Sequence, residues 1–128
     1  MSHLLDTHAF LWFLGGDDQL STTARTTIED SATKKFVSIA SIWEIAIKIS
    51  LGKLTLGIPL SNLKEEIIKN SFEILPLDFD HLIGLSTLEN HHKDPFDRVI
   101  IAQGISENLK VISKDPNFRL YSRIEVIW

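Results

Sequence analysis

His91-His92-Lys93-Asp94-Pro95-Phe96-Asp97-Arg98, running on into Val99-Ile100-Ile101-Ala102-Gln103, is the stretch from which the fold is read. Asp94 followed by Pro95 marks a helix start. The carboxylate suits the N-cap, and proline suits the first helical position, where its missing amide donor costs nothing. The helix that follows is nearly all apolar, so it is expected to be buried rather than to lie on a wet surface. Asp97 falls on its first turn, beside the apolar run. It can serve the helix as a capping-box partner or dipole complement, or it can point into a cleft and hold a cation.

The chain on either side alternates strands with helices. His3-Leu4-Leu5 reads as a short strand that exits at Asp6, and Thr7 to Leu14 as an apolar helix ended by Gly15-Gly16. Ser21 is the expected N-cap of a helix to about Ala32, with Arg25 and Glu29 at ion-pair spacing. Residues 35–39 read as a strand, and Ser41 to Leu51 as a helix apolar around almost its whole circumference. After a turn-rich connector, Leu60 to Asn70 reads as an amphipathic helix, with Leu63, Ile67 and Ile68 inward. Phe72 to Leu77 is a strand, placed at a sheet edge by Pro76. Asp78 or Asp80 caps another helix. Lys110 to Lys114 is a strand exiting at Asp115-Pro116, and alternating Ile124, Val126 and Trp128 suggest a last edge strand. This order calls for a parallel sheet covered on both faces by right-handed crossovers. With no linker, repeat or low-complexity segment, residues 1–128 are expected to form one domain.

Composition narrows the function classes. The 128 residues are 44% hydrophobic, enough to build a core. Cysteine is absent, which excludes disulfides and thiolate metal sites. A formal charge of -4 argues against gripping nucleic acid by bulk charge. It leaves room for a nucleic-acid enzyme whose carboxylates are neutralised by metal ions. The start Met1-Ser2-His3-Leu4-Leu5-Asp6 is too short and too soon charged for a signal peptide, and the best apolar run is broken by Glu44 and Lys48. A soluble cytoplasmic protein with no membrane association is the expectation.

Ligands of open parallel sheets sit beyond the carboxyl ends of the strands. Asp6 and Asp115 fall there, and Asp97 opens a helix at the same rim. Glu44 lies in Ser41-Ile42-Trp43-Glu44-Ile45-Ala46, where an ionised carboxylate is costly unless something compensates it. Lys48, four residues on, is one candidate; a cation is the other. Asp6, Glu44, Asp97 and Asp115 either share one acidic pocket or are ordinary caps and turn residues. In a shared pocket they would need divalent cations, and hard oxygen ligands suit Mg²⁺ or Mn²⁺, which promote phosphodiester hydrolysis. Asp94 reads most simply as the N-cap. His91 and His92 read as solvated loop residues. Arg98 reads as a candidate phosphate contact or as a partner of Asp94 or Asp97. Trp12 and Trp43 read as core or subunit contacts rather than base-stacking platforms.

These residues give the chain a family resemblance. Leu5-Asp6-Thr7-His8 with Trp12, Ser41-Ile42-Trp43-Glu44-Ile45, Leu51-Gly52-Lys53-Leu54, His92-Lys93-Asp94-Pro95-Phe96-Asp97-Arg98 with Ala102-Gln103, and Ser113-Lys114-Asp115 with Phe118 and Tyr121 resemble, in order, a PIN-domain ribonuclease of the VapC-like toxin type. The resemblance implies a three-layer α/β/α sandwich around a mainly parallel sheet of about five strands. It implies that Asp6, Glu44, Asp97 and Asp115 bind Mg²⁺ or Mn²⁺, with Thr7, Asp94 and Ser113 beside them. It further implies hydrolysis of RNA by activated water, homodimers, and a cognate antitoxin that covers the acidic pocket. Ser113 stands where threonine is frequent, which keeps the hydroxyl. A receiver-type phosphoacceptor domain is the alternative by length and sheet, but no acidic residue follows Phe36-Val37-Ser38. A catalytically silent PIN-like dimerisation or antitoxin-binding module is the other, and the full carboxylate set argues against it.

Overall fold

A computed structural model describes residues 1–128. Five strands form one all-parallel sheet in the order β3-β2-β1-β4-β5, with β1 Ser2–Leu5, β2 Lys34–Ser38, β3 Phe72–Leu75, β4 Lys110–Ile112 and β5 Val126–Ile127. Six helices connect them: α1 Thr7–Gly15, α2 Thr22–Glu29, α3 Ile39–Ser50, α4 Leu63–Lys69, α5 Phe79–Ser86 and α6 Pro95–Ser106. The expected α/β/α sandwich is therefore present. Its strand order is not the 2-1-3-4-5 order of receiver-type domains, which removes that alternative.

Strand residues alternate between two cores. Leu5, Val37 and Ile112 pack with Phe10, Ala24, Ile45 and Ile67 on the face covered by α1, α2 and α4. Leu4, Val111 and Leu75 pack with Ile100, Ile101, Phe118 and Tyr121 on the face covered by α6. Leu4 and Leu5 are both wholly buried, as a strand with helices on either side requires. Gly104 brings α6 close to β4, since a Cβ there would meet Val111 Cγ2 at 3.0 Å. Buried His81 ties α5 to α6: Nδ1 accepts the Asp78 amide at 3.1 Å, and Nε2 lies 2.8 Å from a Glu107 carboxylate oxygen.

Several local expectations are corrected. β2 turns into α3 without a loop, because the Ser38 hydroxyl accepts the Ala40 amide at 3.0 Å and the helix starts at Ile39, ahead of Ser41. Ile68 faces solvent, because helical spacing leaves only Leu63 and Ile67 of α4 on the core. Arg25 reaches the Asp17 carbonyl at 3.4 Å rather than pairing with Glu29. Trp43 is 57% exposed and packs edge-on against Phe96, with ring centroids 5.1 Å apart, so it is not a core residue. No helix is long and apolar enough to cross a membrane.

Candidate active site

Two strand exits, those of β1 and β4, with the start of α6 and the middle of α3, build the site at the carboxyl end of the sheet. β1 ends at Leu5, so Asp6 leaves the centre of the sheet and caps α1. Its Oδ1 accepts the Ala9 amide at 2.8 Å, and its Oδ2 accepts the Ser113 hydroxyl at 2.6 Å. Ser113 is the first residue past β4, the strand paired with β1, and this pairing brings residues 107 positions apart into contact. Asp115 caps the short 3₁₀ turn Pro116–Leu120 through Oδ1, which accepts the Asn117 amide at 2.9 Å, and its Oδ2 is left for the pocket.

Thr7 links β1 to α3. Its hydroxyl donates to Glu44 Oε1 at 2.7 Å and lies 2.9 Å from the Ser41 hydroxyl. The other Glu44 oxygen sits 3.0 Å from Lys48 Nζ. The ion pair read from the sequence is thus formed, and Glu44 also lies near enough to Asp97 to act on its charge. Asp94 is the N-cap of α6, its Oδ1 accepting the amides of Phe96 and Asp97 at 2.9 and 3.0 Å. That fixes the first turn and turns the Asp97 carboxylate away from a capping-box role toward His92.

His92 is the residue that sequence reasoning passed over. It is not solvated. Its Nε2 lies 3.0 Å from both Asp97 Oδ2 and Asp115 Oδ2, while Nδ1 accepts the Asp94 amide at 3.3 Å. That acceptor role leaves Nε2 to carry the proton shared by the two carboxylates in the neutral ring. The three facing atoms all lie within 4.8 Å of one another. A side chain two positions before an Asp-Pro cap lies close to the helix start, and this spacing was the available signal.

Arg98 is turned elsewhere. Its guanidinium donates to the carbonyls of Leu88, Glu89 and His92 and to the Tyr121 hydroxyl, at 2.8–3.4 Å. It holds the 88–92 loop against α6 and forms no ion pair with Asp94 or Asp97, because its donors are used on backbone oxygens.

Crowding shows in the acidities. Burial lifts the Asp6 carboxyl above its ordinary range, opposed by the Ser113 hydroxyl, the Ala9 amide and His8, with Asp115 adding to the rise. Asp97 is pushed up to about 7, first by burial and then by Asp94 and Asp6, against His92, with Glu44 adding. Asp6, Glu44 and Asp94 therefore act on one carboxyl, and the pocket is short of positive charge. An oxygen-rich donor set with excess negative charge fits a hard divalent cation.

The fold and site define an α/β protein with clustered carboxylates at the strand exits. The PIN domain family model matches residues 3–124, and the chain belongs to that family of nucleases, whose members use divalent metals. None of the curated proteins matches it. Among solved structures it is similar to VapBC2 from Rickettsia felis bound to a promoter DNA fragment, at 15% identity and TM-score 0.73, covering 98% of this chain and 97% of that one. It is also similar to DNA-bound VapBC from Salmonella typhimurium, at 16% identity and TM-score 0.71, covering 98% and 96%. VapBC-1 from nontypeable Haemophilus influenzae follows at 15% identity and TM-score 0.68, covering 98% and 96%. At these identities the likeness is one of fold.

Proposed function

We propose that this chain is a metal-dependent endoribonuclease and the toxin of a toxin–antitoxin pair. One observation carries the reading. Asp6, Glu44, Asp97 and Asp115, scattered over 110 positions of the chain, approach one place at the carboxyl end of the sheet in a member of a nuclease family. Asp6, Glu44, Asp97 and Asp115 would hold Mg²⁺ or Mn²⁺. When bound, such an ion would lower the pKa of a bound water and offset charge on a phosphodiester. Thr7 and Ser113 orient Glu44 and Asp6, and Asp94 sets the helix start that presents Asp97. His92 holds Asp97 and Asp115 in register. Residues 1–128 act as one nuclease domain, and an RNA substrate sets its place of action in the cytoplasm.

The partner reading draws support from the surface. Phe79, Leu82 and Ile83 make an exposed apolar stripe on α5 at i, i+3, i+4 spacing, and Trp43 is exposed next to Leu85 of the same helix across a shared cleft. A second copy of the chain covering this face gives the homodimer, and a cognate antitoxin is the protein that restrains the site. A toxin–antitoxin complex from Klebsiella pneumoniae shares the fold at TM-score 0.65, which supports that pairing.

The test is digestion of total cellular RNA by the purified protein with Mg²⁺ or Mn²⁺, with EDTA, and with Asp6→Asn and Asp97→Asn, mapping the cut sites. Discrete cuts that vanish with EDTA and in both variants are expected. Cleavage that persists in either variant refutes the assignment.

A further inference from the structure

A cleft of about 370 Å³ opens directly beside the carboxylates. Asp6 and Asp115 form one wall, and His8, Trp12, Lys114 and Pro116 form the rest. His8 and Trp12 lie one turn apart on α1, with ring centroids 5.6 Å apart and planes tilted by 32°. Trp12 is a fixed platform: Trp128 packs edge-on against it at 5.8 Å, and the ring is half-buried on the core. His8 is exposed at the tip. Lys114 lies between Ser113 and Asp115, on the exit of β4. Its ammonium stands 5.7 Å from the centroid of Trp12, and unlike Lys34, Lys48 and Lys110 it pairs with no carboxylate. Past His8 and Trp12 the surface continues into a second cleft, of about 490 Å³, against Leu54, Leu56 and Ile58.

An unpaired cation and an aromatic shelf next to acidic groups match the two surfaces of a nucleotide, the phosphate and the base. We propose that this cleft seats the nucleotide adjoining the cleaved phosphodiester, with its base against His8 and Trp12 and the neighbouring phosphate on Lys114. The inference rests on the ribonuclease reading and deepens it by naming the side chains of this chain that would hold the substrate beside the cut; an unpaired base is what the shelf can take. His8, Trp12 and Lys114 are positioning residues. They act on binding, while the carboxylates act on the bond. The role that the sequence suggested for Arg98 passes to Lys114.

The experiment measures KM and kcat on a fluorescein-labelled single-stranded RNA of about ten nucleotides, for wild type, Lys114→Met, His8→Ala and His8→Phe. Anisotropy with the same RNA in an Asp97→Asn background reads binding without cleavage. Lys114→Met is expected to raise KM and Kd about tenfold with kcat within twofold, and to make the slope of log K against log salt shallower by about 0.7. His8→Ala is expected to raise KM about fivefold, and His8→Phe to restore it, because stacking needs only a flat ring. If wild type cleaves RNA while Lys114→Met and His8→Ala keep its KM, Kd and salt slope, the subsite is wrong and the nuclease reading stands. If His8→Phe is as weak as His8→Ala, the stacking half is wrong. If wild type neither cleaves nor binds the RNA, both readings fall.

Discussion

Asp97→Asn should stabilise the cation-free protein, and more so as the pH rises. The Asp97 carboxyl is lifted from 3.8 to about 7 by burial and by its acidic neighbours. Its folded form thus holds a proton that its unfolded form has lost, and stability drains away as pH climbs from about 4 toward 7. At 1.36 kcal/mol per pH unit an interval of this size is worth on the order of a few kcal/mol, part of which has been lost by pH 5. The remainder is shared with Asp94 and Asp6, whose repulsion relaxes once any one of them is neutral, so on the order of 1 kcal/mol belongs to Asp97 alone. Asparagine removes the charge and keeps an oxygen for His92. The assay is thermal unfolding in EDTA of wild type and variant at pH 5 and pH 8. The variant's advantage should widen by about 1 kcal/mol, or roughly 3–5 °C, between the two. Buried His3 titrates in the opposite sense, since burial, Lys110 and the N-terminus lower its pKa, but it is present in both proteins and cancels in the difference. Millimolar Mg²⁺ at pH 8 should close the gap by binding wild type. A gap that stays constant or narrows from pH 5 to pH 8 in EDTA would refute the crowded-pocket argument.

Other consequences follow from single contacts. Ser113→Ala removes the hydroxyl 2.6 Å from Asp6; Asp6 should then hold its proton to higher pH, weakening Mn²⁺ binding more at pH 6 than at pH 8 by calorimetry, with Ser113→Thr restoring it. Lys48→Met leaves Glu44 without the ammonium 3.0 Å away and should cost about 1 kcal/mol in EDTA, with less loss when Mg²⁺ is present, read by urea unfolding. His3→Gln should abolish the share of acid destabilisation due to His3: its lowered pKa makes stability fall as pH drops through 6.5, so wild type should lose more than the variant between pH 7 and pH 5 in the same urea titration. Phe10→Ala empties a wholly buried site edge-on to Phe72 and should cost about 4 kcal/mol by chemical denaturation.

Much of this architecture could be read from local pattern. Helix starts at Ser21 and Asp94-Pro95, and the peripheral place of the strand read over Phe72 to Leu77, follow from capping and proline chemistry and are where the structure has them, while of Asp78 and Asp80 it is Asp78 that caps, and the strand ends at Leu75. What local pattern does not contain is the strand order. Asp6 meets Ser113 only because β4 pairs with β1, and nothing in either segment's periodicity says so. Tertiary direction was equally hidden at Arg98, whose spacing from Asp94 suits an ion pair but whose fork is drawn to loop carbonyls, and at His92, whose loop position suggested solvent.

The carboxylates are the hardest groups to weigh from sequence, because there capping and ligand chemistry look like rivals. A carboxylate has two oxygens. Asp6 and Asp115 each spend one on a helix or 3₁₀ start and turn the other to a side chain at the pocket, Ser113 and His92. The cap fixes the carboxylate's direction, and on the proposed reading a group that looks structural by its sequence context would be held more rigidly for chemistry. Asparagine caps as well as aspartate does but lacks its charge. Asp6→Asn and Asp115→Asn should for this reason keep the fold within about 1 kcal/mol in EDTA, while calorimetry shows Mn²⁺ affinity falling at least tenfold. Alanine at either position should lose both. Equal loss of stability in the asparagine and alanine variants would show that the charge, not the cap, anchors these turns, and the separation of roles between the two oxygens would fail.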